Sequence, residues 1–454
     1  MPEVVTIQTP ALGDRSYLVH DEAEAVVIDP QRDIGRILAA AEARRVRITH
    51  VLETHIHNDY VTGGLALASR TGASYVVAAA EQVSFDRLAV RDNDQISTGS
   101  LTLAVMHTPG HTPGHLSYVL SENGGDPVAV FTGGCMLYGA VGRTDLIGPD
   151  QTDQLTRAQY RSVRRLAADL PDEVAVYPTH GFGSFCSATP TTGTSSTIGT
   201  ERRVNVALRT DEDAFVTELI TGLSAYPRYY AHMGPANRRG PRAPDLAPPE
   251  RADAAELRRR IDAGEWIVDL RERRAFARAH VTGTISIEFG DSFSTYLGWA
   301  IPWGTPLTLI GERPDQVAEA QVHLARIGID RIAGAATGAA EALVPQGSLS
   351  SYRVTDFGGL AAAWDQPGLV ILDVRRPDEW QAGHLAGAVH VPFWEIETRA
   401  SEVPAGEVWI HCASGFRASI GASILERAGR RVVHVDDDWE NAARSGLPLG
   451  SREA

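Results

Sequence analysis

Lysine is missing from this chain. All 42 basic residues are arginine, which excludes Schiff-base chemistry on a lysine and the lysine of a phosphate-binding loop. Cysteine is scarce: Cys135, Cys186 and Cys412 stand far apart and form no Cys-x-x-Cys pair. That spacing argues against a cysteine zinc site, a dithiol redox motif and a disulfide framework. No run of eighteen apolar residues occurs, so no membrane-spanning helix is expected. The start, Met-Pro-Glu-Val-Val, has no basic region leading into an apolar run. It reads as lacking a signal peptide, and a cytoplasmic protein is expected. Positive charge is in deficit, and the formal net charge is −15. Nucleic acid and anionic membranes are therefore poor partners.

What is present is ordinary for a soluble globular chain: 43% hydrophobic and 22% charged residues over 454 positions, enough for about three domains. Ala25–Asp29, Ile48–Leu52, Leu101–Met106 and Val128–Phe131 read as strands ending in Gly- or Pro-rich loops or at polar residues. Ile34–Ala43 and Thr152–Leu170 read as helices by their apolar spacing. Strands alternating with fewer helices suggest an α/β layered sandwich over residues 1–245. His232 to Glu250, rich in Pro and Arg, reads as a linker. A softer break falls near Pro345–Ser351.

The remainder contains an internal repeat. Asp269, Arg271, His280 and Gly283 match Asp373, Arg375, His384 and Gly387, each pair separated by 104 residues. Such a period is too long for a solenoid and indicates two copies of one small domain, 246–345 and 352–454. Each copy opens on a buried strand and passes through a helix, a pattern for a parallel sheet.

Histidines concentrate in the first segment. His55-Ile-His57-Asn-Asp59 follows a strand, and its two imidazoles fall on one side of an extended segment. His111 and His115 lie in Thr108-Pro-Gly-His111-Thr-Pro-Gly-His115, and His180 in Tyr177-Pro-Thr-His180-Gly. Imidazoles and a carboxylate gathered on loops suit Fe(II) or Zn(II). These motifs, with Val141-Gly-Arg143-Thr-Asp145-Leu, resemble the metallo-β-lactamase superfamily, and within it the persulfide dioxygenase and glyoxalase II branch. The resemblance implies an αββα sandwich with a metal at one edge of its sheets. By motif position His55 and His111 would hold a single Fe(II), whereas the two-metal thioesterases also use His57, Asp59 and His180. Two positions depart from the family. Tyr60 replaces a histidine of the second metal, and Gly134, in Phe131-Thr-Gly-Gly134, replaces the metal-binding aspartate. Three outcomes stay open: a site of His55, His57 and His111; recruitment of Asp59; or weak or lost metal binding. Cys135 is a soft-ligand candidate or a small buried hydrophobe. Cys186 either lines the pocket or packs. His115 is expected to make a structural hydrogen bond. Arg143 and Asp145 either contact a substrate carboxylate or pair with each other.

The last segment holds Val408-Trp-Ile-His411-Cys412-Ala-Ser-Gly-Phe-Arg417. A strand ends at His-Cys, and a helix is expected from Ile420 to Ala428. Cys412 then sits before a helix N-terminus, where backbone N–H groups favour an anion and a thiolate nucleophile. The tight Cys-x4-Arg loop suits a single sulfur atom. With Leu372-Asp-Val-Arg375 and Gly383-His384-Leu-Ala-Gly387, it resembles an active rhodanese domain. The resemblance implies Cys412 as the sulfur carrier, with the backbone of Ala413, Ser414, Gly415 and Phe416 and the side chain of Arg417 stabilising a persulfide. The middle copy reads Leu307-Thr-Leu-Ile-Gly311-Glu312 and has no cysteine. It resembles an inactive rhodanese domain, in which Asp269, Arg271 and His280 keep the fold.

The expected fold class is thus α/β: an N-terminal αββα metallo-β-lactamase sandwich followed by two small rhodanese domains with parallel sheets. The expected activity is sulfane-sulfur metabolism. A metal centre, Fe(II) with Zn(II) as the alternative, would oxidise a low-molecular-weight thiol persulfide to sulfite, and a sulfurtransferase would take sulfur from thiosulfate or a persulfide. The alternatives are a zinc thioesterase with an attached sulfurtransferase, and a sulfur carrier or sensor without metal. A homodimer is a further expectation.

Overall fold

The computed structural model describes residues 2–191 and 193–450. The first twelve strands form two mixed sheets. Strands β1 (Glu3–Thr9), β2 (Asp14–His20), β3 (Glu24–Ile28), β4 (Arg47–Leu52), β5 (Ser74–Ala78) and β6 (Leu88–Val90) pair in that order. The second sheet runs β12 (Ser196–Thr197), β11 (Ala175–Pro178), β10 (Pro127–Gly133), β9 (Leu116–Glu122), β8 (Leu101–His107) and β7 (Gln95–Thr98). Period-two patterning dictates how they stack. Tyr17, Val19, Leu101, Leu103 and Val105 point into a shared core with Tyr118, Leu120 and Phe131. Leu18 and Val27 face the other way, onto the helix residues Ile37, Ala41 and Leu67. Met106, Val119 and Val176 likewise meet Val163 and Leu166 of the helix Thr152–Asp169. The result is helices, sheet, sheet, helices, the αββα sandwich expected.

The supposed linker is in part a helix. Tyr230–Arg239 is α-helical, with Met233 and Asn237 buried, even though Pro235 lies inside it. Pro235 is the sixth residue of the helix and lacks the N–H that would pair with the Ala231 carbonyl, so the helix persists with one bond fewer. Composition concealed this element, because its few apolar residues are confined to one face.

The chain divides into two compact units. Apart from short exchanged segments, the first ends at Pro244, and the second begins at Asp245 and holds both C-terminal copies. In the middle copy, parallel strands order as Ile285–Ser286, Trp266–Asp269, Leu307–Gly311 and Gly334–Thr337. In the last copy Val389–His390, Leu369–Asp373, Glu407–His411 and Val432–Val435 follow the same order, with Arg353–Thr355 added at the edge. The repeated residues do the same work in both. Arg271 clamps Asp269 and donates to the Ala279 carbonyl, and Arg375 clamps Asp373 and donates to that of Gly383. His280 stacks on Phe276 as His384 stacks on Trp380. These are structural roles in each case.

The copies also share contacts. Asp436 of the last copy, with a side chain 1% exposed, is gripped by Arg273 and Arg274 of the middle one. The backbone N–H of Ser286 donates to Ser423. A buried carboxylate stripped of its cations is costly. The double substitution Arg273→Ala/Arg274→Ala should lower the stability of the second unit by about 3 kcal/mol. Denaturant unfolding monitored by tryptophan fluorescence measures this.

Candidate functional site

The histidines lie where strands of the sandwich end. His55 and His57 follow β4, His111 lies between β8 and β9, and His180 follows β11. All four side chains are buried. In each ring one nitrogen is held by the protein. His55 Nδ1 lies 2.9 Å from Thr54 Oγ1, and His111 Nδ1 donates to the Arg143 carbonyl at 2.7 Å. His180 Nδ1 lies 2.9 Å from Asp14 Oδ1. His57 Nε2 sits 3.2 Å from both Asp29 and Glu53. What remains is a set of inward lone pairs. His55 Nε2 and His180 Nε2 stand 3.3 Å apart. His57 Nδ1 and His111 Nε2 have no hydrogen-bond partner among the described residues, and Asp59 Oδ2 meets His180 Nδ1 in an ion pair at 3.3 Å. Tying back one nitrogen to direct the other is how metal-ligating histidines are oriented. Donors lacking partners in a dry pocket fit a cation, so the residues present suit a metal ion.

The electrostatics agree. Burial pushes His111 down to about 3, and burial with neighbouring imidazoles holds His55 well below the usual histidine range. Both are neutral and able to donate a lone pair. Burial opposes charge on His57, yet Asp29 and Glu53 hold it up at about 9. Burial and the neighbouring Asp59 raise Asp14 to about 8. Burial disfavours the Asp59 anion as well, but His180 and His57 keep it below the usual carboxylate range.

The donors do not group as the His55–His57–His111 alternative anticipates. Three sets have donor atoms within 4.8 Å of one another around His180: His55 with His57, His111 with Cys186, and Asp14 with Asp59. Gly134 explains the shift. A Cβ at that position would lie 2.3 Å from Cδ2 of His111, so the imidazole occupies the space beside the glycine. Tyr60 is no metal donor: its ring stacks on His57 at 4.3 Å and its hydroxyl faces the Asp29 carbonyl at 3.4 Å. His115 makes the expected structural bonds, accepting from the Gly134 N–H at 3.0 Å and meeting Thr108 at 2.9 Å. Arg143 and Asp145 close on each other through two bonds of 2.7 and 2.8 Å, and Arg143 is buried. Arg143 therefore shapes the pocket through its backbone and leaves its guanidinium to Asp145. Cys135 packs among apolar neighbours that include Val130, Met136 and Val141.

Asn237 was invisible to sequence reading. Its amide nitrogen donates to the carbonyls of His57 and Tyr60 at 2.9 and 2.8 Å, and its oxygen accepts from the Thr62 N–H at 3.0 Å. It fastens the whole histidine loop, and a lone Asn in a Pro- and Arg-rich stretch gave no signal.

Cys412 follows the central strand of its sheet, at the N-terminus of the helix Phe416–Arg427. The helix starts four residues earlier than the apolar pattern suggests, so Arg417 lies in its first turn. Cys412 is 1% exposed, while Ser414 at the loop tip is open. Gly415 has φ +83°, and a Cβ there would meet Asp436 Oδ1 at 2.0 Å. Its carbonyl lies 2.9 Å from His434 Nε2, and the Ala413 carbonyl accepts from the Trp439 N–H at 2.8 Å. Arg417 is engaged by both oxygens of Glu379, at 2.5 and 2.8 Å. The guanidinium read as a cap for a persulfide thus spends its charge on a carboxylate and anchors the loop. In the middle copy Glu312 follows the equivalent strand and a helix starts at Pro314. That loop is shorter and presents an exposed carboxylate where the thiol would stand.

Residues 11–180 match the family model of the metallo-beta-lactamase superfamily, and residues 358–444 that of the rhodanese-like domain. The chain is 30% identical over 230 residues to human "Persulfide dioxygenase ETHE1, mitochondrial", covering 50% of this chain and 82% of that protein. It is 30% identical over 263 residues to a hydroxyacylglutathione hydrolase of Methylococcus capsulatus, covering 56% of this chain and 97% of the relative. Among solved structures, a metallo-beta-lactamase from Staphylococcus aureus subsp. aureus COL superposes with a TM-score of 0.67 and 28% identity, covering 74% of this chain and 99% of that one. The chain belongs to the metallo-beta-lactamase superfamily. It has homologues among the persulfide dioxygenases and glyoxalase II enzymes and carries a C-terminal rhodanese-like domain. No helix among the described residues is long and apolar enough to cross a membrane.

Asn237→Ala should lower metal affinity about 10–100-fold, the usual cost of removing a residue that positions metal ligands. Chelator competition on purified protein measures it, with Thr217→Ala on an exposed helix as the control.

Proposed function

We propose that this is an enzyme of sulfane-sulfur metabolism, in which a mononuclear metal centre acting as a persulfide dioxygenase is joined to a sulfurtransferase built on Cys412. The observation that carries this reading is the pairing of a buried set of oriented imidazoles, with the Tyr60 ring stacked on His57, with a strand-end cysteine on a glycine-wedged loop. Tyr60 weighs against a dinuclear hydrolase, and relatives named persulfide dioxygenase support the chosen branch.

In the first domain the ligands of the ion would be drawn from His55, His57, His111 and His180, with Asp59 beside them. Fe(II) there would supply the one-electron chemistry with O₂ that side chains lack. The overall balance is thiol persulfide plus O₂ and water giving thiol and sulfite. The protein keeps bulk water out of the pocket and holds the imidazoles in fixed tautomers through Thr54, Asp14, Asp29 and the Arg143 carbonyl.

In the last domain the Cys412 thiolate attacks the sulfane sulfur of thiosulfate. A new S–S bond forms, the sulfur–sulfur bond of thiosulfate breaks, and sulfite leaves with the electron pair. The helix N-terminus behind the loop favours the anionic persulfide. Glu379 and Arg417 fix the start of that helix.

Cys412→Ser should cut thiosulfate:cyanide sulfurtransferase activity by at least about 100-fold and leave persulfide-dependent O₂ consumption in place. Full transferase activity in that variant would sink the assignment. Rapid hydrolysis of S-lactoylglutathione without O₂ uptake would move the first domain to the thioesterase branch.

A further inference from the structure

The carboxylate missing at position 134 leaves the family's donor set one anion short. Gly134 cannot be rescued by a neighbour on its own loop, because the His111 ring fills the space beside it and the adjacent Cys135 is committed to the apolar core. Asp59 is already shared with His180, at 3.3 Å. Another buried anion-forming group stands at the same imidazoles. Cys186 is wholly buried, and its Sγ lies within 4.8 Å of donor nitrogens of both His111 and His180.

The backbone places these groups deliberately. Arg143 donates its N–H to the Cys186 carbonyl at 2.8 Å and accepts from His111 Nδ1 at 2.7 Å, so one residue sets both. The neighbouring Gly142 permits that approach, since a Cβ there would lie 2.3 Å from the Gly134 carbonyl and 2.9 Å from His111 Nδ1. His111 Nε2 is left buried without a partner among the described residues.

We infer that Cys186 is the anionic metal ligand of this chain, taking the part of the lost aspartate in a two-histidine, one-thiolate set with His111 and His180. This rests on the reading above that the pocket holds a metal. A thiolate carries the same single negative charge as a carboxylate, so the charge balance of a two-His-one-anion site is kept while its softness rises. Ligands of one ion lie about 3–3.5 Å apart when the bonds are about 2.0–2.3 Å long, so the group needs only a small contraction. On binding, the thiol releases its proton to solvent and the sulfur lone pair enters the metal bond.

The test uses the full-length chain with Cys412→Ser as background, stripped of metal and titrated with Co(II). Stoichiometric uptake should bring intense near-ultraviolet sulfur-to-cobalt charge-transfer absorption. Adding Cys186→Ser should remove that absorption and weaken Co(II) binding at least about tenfold, while Cys135→Ser should leave it. Circular dichroism and thermal melting check that each variant folds, and Cys186→Ala serves as a second variant. Co(II) bound without the sulfur absorption, or absorption unchanged in both Cys186 variants, overturns the ligand role and leaves the metal-dependent reading standing. Failure of the folded parent to take up Co(II) overturns both.

Discussion

The metal pocket hangs on one buried carboxylate. Asp29, at the end of β3, accepts from the backbone N–H and the hydroxyl of Thr54, each at 2.7 Å, and from the hydroxyl of Thr179. Its Oδ1 also lies 3.2 Å from His57 Nε2. Three strand ends are thereby tied to a single group: β3 itself, β4 before the His55–His57 loop, and β11 before His180. A carboxylate this deep is tolerable only because donors surround it. Burial penalises its charge, but His57 and the two threonine hydroxyls hold it ionised, below the usual aspartate range. Asp29 also adopts φ +51°, a left-handed backbone that Asp tolerates better than most residues. The turn that strains the chain is the turn that aims the carboxylate inward.

The same logic recurs in the second unit with different chemistry. Both centres sit past the ends of strands, where loops are freed from the ladder while their anchors stay rigid. In the sandwich, loops from separate strands contribute one or two imidazoles each. In the last copy a single short loop does everything, so its backbone must be held more tightly: Gly415 wedges against Asp436, and His434, Trp439 and the Arg417–Glu379 pair fix the rest. The middle copy shows what happens when that demand is dropped. It keeps the strand order, the Asp–Arg clamp and the stacked histidine, but Glu312 follows its equivalent strand and the helix begins two residues later, at Pro314. Its side chains also reach the loop of the last copy. Arg273 and Arg274 hold Asp436 behind Gly415, and the Tyr296 ring lies 5.4 Å from that of Phe416.

The sequence made the layers and the chemistry-bearing residues legible wherever the signal was periodic or typed. The run Leu101–Met106 announced a strand, and the four matched pairs of the repeat announced a duplicated sheet. Histidine, glycine and proline in fixed spacings marked the pocket. What stayed hidden depended on partners far along the chain. Nothing near Arg417 says that Glu379, thirty-eight positions away, will claim its guanidinium. Nothing in the stretch around Asn237 says that it will close the loop of His57 and Tyr60. Gly134 could be read as a lost ligand, but that His111 would fill the space follows only from the packing.

A lost ligand exerts its own constraint on what the pocket can still do. Four buried imidazoles gathered at one place are costly for a fold to keep unless each finds a partner. Protons answer part of this, since His180 lies among Asp14 and Asp59 and His57 between Asp29 and Glu53. They do not answer His111, which is neutral with one nitrogen that has no hydrogen-bond partner among the described residues. An electron-pair acceptor beside His111 resolves the mismatch, and an anion-capable neighbour that could balance its charge, the Cys186 thiol, lies within 4.8 Å of the ring's donor nitrogen. A chain that lacks the carboxylate beside this ring still keeps a sulfur within reach of it.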